Sequence, residues 1–271
     1  MSEIEQTLDV EGIGLPQGTK QEFAIEDDAA LAALVNLIAV LADNEYFYGL
    51  RISDWSMGAP MLEAGVACAA IAQEKLGHSR ALYPLLEELP WPNPPTPMQR
   101  EIDRQRRYSV RFLDQPFPTW SHVVATIALL GPALNTLFGG LTNSKYAALA
   151  IRMRRILDEE KLTTWYAESL VRDLVAAPEG RAMLQARVDE LWPEIMCWFG
   201  PQGEPGVECL VREGLLSIAN EDMRQSYLGK VMPLLEEVGI RVSARRDDAT
   251  NTWDYGELPW SQWNNLQRRL S

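Results

Sequence analysis

A lysine, a histidine, a threonine and two glutamates stand where helical apolar stripes would otherwise run unbroken. Glu45 falls on a stripe made by Leu31, Leu34, Ile38, Leu41, Tyr48 and Ile52. Lys75 and His78 share one with Ala64, Cys68, Ile71 and Leu82, while Glu160 and Thr163 interrupt Leu149, Met153, Ile156, Ala167 and Leu170. Residues three and four apart stack on one face of a helix, so each polar group turns toward a core. An uncompensated buried charge is costly, and such a set demands either mutual partners or a metal ion. His78 taken alone reads as a satisfied buried histidine. Glu74, one turn before it, makes an i, i+4 pair that could hold a single metal ion with Glu45 and Glu160.

Long helices must position these groups. The first is expected over 26–55, opening with acids that suit the positive end of a helix dipole. The second spans about 60–88, with Pro84 bending its end, and stops at "LPWPNPPTP". The third covers 120–141, interrupted at Gly131-Pro132; the fourth covers 144–176 and the fifth 178–199. One or two more helices reach residue 238, and the polar, Trp-rich tail closes with a short helix. No segment alternates like a strand and no solenoid repeat is present. Antiparallel packing of four helices this long gives an all-α four-helix bundle with C-terminal additions. The expected division is an acidic arm over 1–25, a helical domain over 26–240 and a tail over 241–271 packing on the bundle.

Composition narrows the partners. The 271 residues carry a net charge of −13, which offers no basic field for nucleic acid. The N-terminal stretch lacks a basic region followed by an apolar run, so no signal peptide is read. No stretch is taken as long and apolar enough to cross a membrane. Cys68, Cys197 and Cys209 show no CxxC spacing, and the first two are expected as buried free thiols. A cytoplasmic protein with neither nucleic-acid nor membrane partner is the expectation.

The pattern of inward carboxylates and imidazole resembles the ferritin-like di-iron carboxylate proteins. Their site takes a Glu from each of two helices and a Glu-x-x-His from each of the other two. "ADNEYFYGLRISDWSMGAPMLEAGVACAAIAQEKLGHSRALYPLLEEL", "ILDEEKLTTWYAESL", "LWPEIMCWFGP" and "TWDYGELPWSQWNNL" narrow the resemblance to the phenylacetate-catabolism family. That family includes the catalytic A and structural C subunits of phenylacetyl-CoA epoxidase. The Phe-Gly-Pro after the fifth helix and the Trp-rich tail look closer to the catalytic branch. By this resemblance Glu45, His78 and Glu160 stand at three ligand positions. Lys75 takes the place of the glutamate before His78, Gly131 that of the third-helix acidic ligand, and Thr163 that of the second histidine. The only other histidine, His122, precedes the Gly131 level by more than two helical turns.

The resemblance implies a degenerate di-iron site in which the Lys75 ammonium stands between Glu45 and Glu160, with His78 and Thr163 completing a hydrogen-bonded network. No metal or other cofactor is then expected in this chain. The function implied is a non-catalytic structural subunit of a multicomponent ring-epoxidising oxygenase in aromatic acyl-CoA catabolism. It would pair with a catalytic di-iron homologous subunit as a hetero- or homo-oligomer. Two alternatives stay open: an active di-iron or single-metal acyl-CoA monooxygenase subunit using Glu45, Glu74, His78 and Glu160, and a stand-alone pseudoenzyme that binds an acyl-CoA. Trp253, Trp260 and Trp263 either cap the bundle or anchor a subunit interface.

Overall fold

The structure, a computed structural model, describes residues 25–98 and 106–271. The expected acidic arm lies outside the described residues except for its last position. Four long helices form the frame: α1 (Asp28–Ser53), α2 (Leu62–Glu88), α3 (Trp120–Leu141) and α4 (Ala147–Ala176). Three shorter ones follow, α5 (Gly180–Trp198), α6 (Pro205–Arg212) and α7 (Asn220–Glu237). The protein is all-α, a ferritin-like bundle with added C-terminal helices. α1 pairs chiefly with α2 and α3 with α4; α5 and α7 pack on α3, and α6 on α1.

α1 starts where the Asp27 side chain accepts the backbone N–H groups of Ala29 (2.8 Å) and Ala30 (3.3 Å), satisfying two of the orphan donors of a first turn. Its neighbour approaches closely: a Cβ on Gly49 would lie 2.9 Å from Leu76 Cγ. That contact brings the backbones of α1 and α2 together one turn from Glu45. Asp43 and Asn44, both fully buried, hold the chain before α3. Asp43 accepts from Tyr83 Oη (2.7 Å) and the Tyr108 N–H (2.8 Å), and Asn44 accepts the Val110 N–H (3.1 Å).

Three expectations need correction. α3 is continuous through Gly131-Pro132. Proline removes one backbone bond there, but the neighbours packed around this buried helix keep it helical through the loss. Pro84, Pro193 and Pro233 also lie inside their helices, as the expected spans have them. Second, α3 carries 22 residues without one Asp, Glu, Lys or Arg, and both α1 and α3 are long and apolar enough to cross a membrane. Most of each is buried inside the protein, where a central bundle helix is apolar all round.

Third, the tail does not end in a helix. β1 (Arg245–Asp247) pairs antiparallel with β2 (Thr252–Asp254), a 3-10 turn spans Trp260–Gln262, and β3 (Trp263–Asn264) pairs with β4 (Arg269–Leu270). Asn264 Oδ1 accepts the Gln267 N–H at 2.9 Å, and Arg268 takes a left-handed φ of 49°, which turns the chain back before a helix can start. Cys68 and Cys197 are buried free thiols, as expected, and burial pushes the Cys197 thiol up to about 12.

Candidate functional site: a buried ionic cluster

α1, α2 and α4 bring Glu45, Lys75, His78 and Glu160 to one point in the core, all essentially without exposed surface. Lys75 Nζ bonds Glu160 Oε1 and lies 3.7 Å from Glu45 Oε1. The same ammonium sits 5.0 Å from the centre of the Tyr48 ring, a cation–π contact. His78 Nδ1 lies 3.0 Å from Glu45 Oε2 and 3.4 Å from Glu160 Oε1, and Nε2 lies 3.0 Å from Glu159 Oε2. With a carboxylate at each ring nitrogen, the imidazolium form can donate from both. Glu159 is partly exposed and links this buried set to solvent.

Charge follows from these contacts. Burial works against both cations, but the neighbouring carboxylates outweigh it. The hydrogen bond and charge of Glu45 hold the His78 pKa above its ordinary value. Glu160 and Glu45 do the same for Lys75. Glu74, half-buried at the edge of the cluster, is pushed up to about 7 by burial and by the Glu160 charge, against the pull of Lys75. Glu159 is held below the usual carboxylate range, chiefly by its hydrogen bond with Arg155. Burial and the Glu160 and Glu45 charges hold the Tyr48 phenol far above 10, so it keeps its proton.

Thr163 does not reach His78. Its hydroxyl donates to Glu74 Oε1 at 3.1 Å, so Thr163 and Glu74 form the rim of the cluster. Gly131 faces the same region from α3: a Cβ there would meet only Tyr48 Oη, at 3.8 Å. Glu45 Oε1, Glu160 Oε2 and Tyr48 Oη have no hydrogen-bond partner among the described residues. His122 is elsewhere, bonded to Thr119 (2.6 Å) and Arg187 (2.8 Å) at the start of α3. The ligand-capable atoms of Glu45, His78 and Glu160 all lie within 4.8 Å of one another, close enough for one metal ion.

With that geometry in view, a family model described as Phenylacetic acid catabolic protein matches residues 20–270. The chain belongs to the phenylacetic acid catabolic protein family. No curated protein matches it significantly.

Two members of the cluster escaped sequence reasoning. Tyr48 lies on the α1 apolar stripe and reads there as a core aromatic. Its position one turn after Glu45, i to i+3, was the available signal. Glu159 precedes an inward residue and so reads as surface; only the reach of its side chain to His78 Nε2 adds it. The tail of this family member also receives the end of α5. The Arg268 guanidinium donates to the Trp198 (3.1 Å) and Phe199 (2.7 Å) carbonyls and pairs with Glu204 at 2.7 Å. Arg224 donates to the Met196 carbonyl at 3.0 Å. Trp263 and Trp260 lie over Arg268 and Arg224, 5.7 and 5.5 Å from ring centre to guanidinium carbon.

Proposed function

We propose that this chain is a non-catalytic structural subunit of a multicomponent ring-epoxidising oxygenase in phenylacetate-type aromatic acyl-CoA catabolism, acting in the cytoplasm beside a homologous chain that carries the iron. The observation that supports this reading is the fully buried Lys75 ammonium, bonded to Glu160 and facing Glu45. Two iron ions and a lysine cation cannot share two inward carboxylates, because each added positive charge in a low-dielectric site repels the others. The donor set does not fit a pair of ions either. One histidine and two glutamates converge, with threonine and glycine at the positions where the family resemblance implies two further ligands. In this reading the lysine takes over the charge-balancing role of the metal, and the bundle keeps its shape without it.

Metal content of the purified chain tests the proposal. The expected result is iron far below one equivalent per chain, together with copurification of a homologous iron-containing chain from the host. Two equivalents of iron per chain, lost on Glu45→Ala, would overturn it. A second reading rests on the three ligand-capable atoms within 4.8 Å. A single divalent ion at Glu45, His78 and Glu160 would require Lys75 to withdraw. Stoichiometric binding of one Co2+ ion by the unaltered chain, abolished by His78→Ala, would favour it.

A further inference from the structure

A cavity of about 460 Å3 lies between the first turns of α1 and the C-terminal elements. Its α1 wall carries Ala29, Ala33 and Asn36, which recur at four- and three-residue spacing and so share one helical face. Side chains this small leave a gap where α6 packs on α1. A Cβ on Gly206 would meet only Ala33 Cβ at 3.7 Å and Glu204 Oε1 at 3.4 Å. Val207 of α6 and Met223 of α7 add to an apolar interior, and Leu266, 47% exposed, marks the side toward solvent. Nine residues separate Asn36 from Glu45, about 13.5 Å along α1, so this space is distinct from the ionic cluster. It lies within the about 300–1,000 Å3 of ordinary small-molecule sites. At about 30 Å3 per water it is far larger than one or two bridging waters need.

We propose that this cavity binds a medium-sized aliphatic molecule whose polar end is a neutral hydroxyl. Two polar atoms of residues lining it are buried with no hydrogen-bond partner among the described residues, Asn36 Oδ1 and Arg268 Nε. The rest of the guanidinium is committed. Nη1 donates to Glu204 Oε2 at 2.7 Å, and Nη2 donates to the Trp198 and Phe199 carbonyls. Arg268 and Glu204 are each less than a tenth exposed and balance one another's charge, so no net charge is left to select an ion. A buried donor and a buried acceptor without partners are costly. Both are recovered by a group that accepts from the Nε–H and donates to Oδ1, and a hydroxyl does this with one atom. A carboxylate has no proton for Asn36 and would bring its charge beside Glu204. An ammonium cannot accept from Arg268. No aromatic ring lines the cavity, so nothing there stacks on a planar ligand and an aliphatic one fits. The inference does not rest on how the ionic cluster is read.

Calorimetric titration of the full chain with 1-nonanol tests it, with nonanoate as the charged counterpart. The expected result is one site with a Kd of about 10–100 μM, and binding of nonanoate at least about tenfold weaker. Asn36→Leu keeps the size of the side chain and removes the acceptor, so it should weaken 1-nonanol about fivefold to tenfold. Ala33→Phe fills the cavity and should abolish binding, with circular dichroism verifying the fold. In the unaltered chain the 13C-methyl signal of Met223, assigned through Met223→Leu, should shift as 1-nonanol is added, which locates the ligand without a cavity variant. No binding of 1-nonanol at about 1 mM, well above the expected Kd, would overturn the proposal. So would an unshifted Met223 signal, or an affinity that Asn36→Leu or a folded Ala33→Phe leaves unchanged. Nonanoate binding as tightly as 1-nonanol would overturn the assignment to an alcohol, because Asn36 would then be turning its amide N–H2 toward a carboxylate.

Discussion

Lys75 decides how the core of this protein is balanced. With no exposed surface, its ammonium compensates Glu160 directly and Glu45 at 3.7 Å. Lys75→Met keeps the volume and removes the charge, leaving carboxylates buried without their cation. A loss of about 3–5 kcal/mol of stability is expected in denaturant unfolding. Lys75→Glu does the reverse for cation binding. It removes a repelling charge and adds an attracting one, each worth about 4 kcal/mol at 4 Å with an effective dielectric near 20. Titration with Co2+ should therefore show at least about a hundredfold gain in affinity over the unaltered chain. The titratable members of the cluster predict a pH dependence. The folded-state pKa of His78 is raised above 6.5, so the stability it contributes is full below that value and is lost as pH rises through the folded value. Glu74 is raised from 4.5 to about 7, so its unfolded form gives up the proton first, and stability falls as pH climbs across that interval. Glu74→Gln keeps a partner for Thr163 and cannot ionise. Its stability relative to wild type should grow from pH 4.5 to 7 and level off above, as read from urea midpoints.

Among the elements, α2 carries the most weight. One face supplies Lys75 and His78 to the core, while the other is left exposed. The inward stripes of α1, α2 and α4 were legible in the sequence because 3.6-residue periodicity survives a few polar intrusions; every stripe position named for these helices is buried. Which polar residue meets which was not legible. Thr163 turned to Glu74 and not to His78, because antiparallel pairing of α4 with α2 offsets it from the imidazole by a turn. The Gly131-Pro132 pair in α3 misled for a similar reason, since local breaking tendency yields where burial on several sides holds the helix. The C-terminus of α5 depends on a distant element. Arg268 takes two of its last carbonyls and the buried Glu204 carboxylate. Arg268→Ala strands all three, and a loss of about 3–5 kcal/mol in thermal or denaturant unfolding is expected.

For the whole molecule, the reading of a bundle balanced by a lysine makes a direct statement about metal. Prolonged treatment with EDTA should leave the melting temperature within about 1 °C of the untreated protein, because nothing that binds the folded state is removed. A fall of several degrees would instead mark a structural ion. The amino-acid sequence by itself determined that the chain is all-α and built on four long helices, and that Glu45, Lys75, His78 and Glu160 point inward. It could do so because helical periodicity is local and buried charge is rare enough to stand out. Tertiary structure alone decided that Lys75 bonds Glu160 more closely than Glu45. It also decided that Glu159 and Tyr48 join the cluster, that the tail folds as two hairpins, and that the outer face of α2 is left uncovered. Those outcomes depend on how far one helix slides and turns against another, which no single segment encodes.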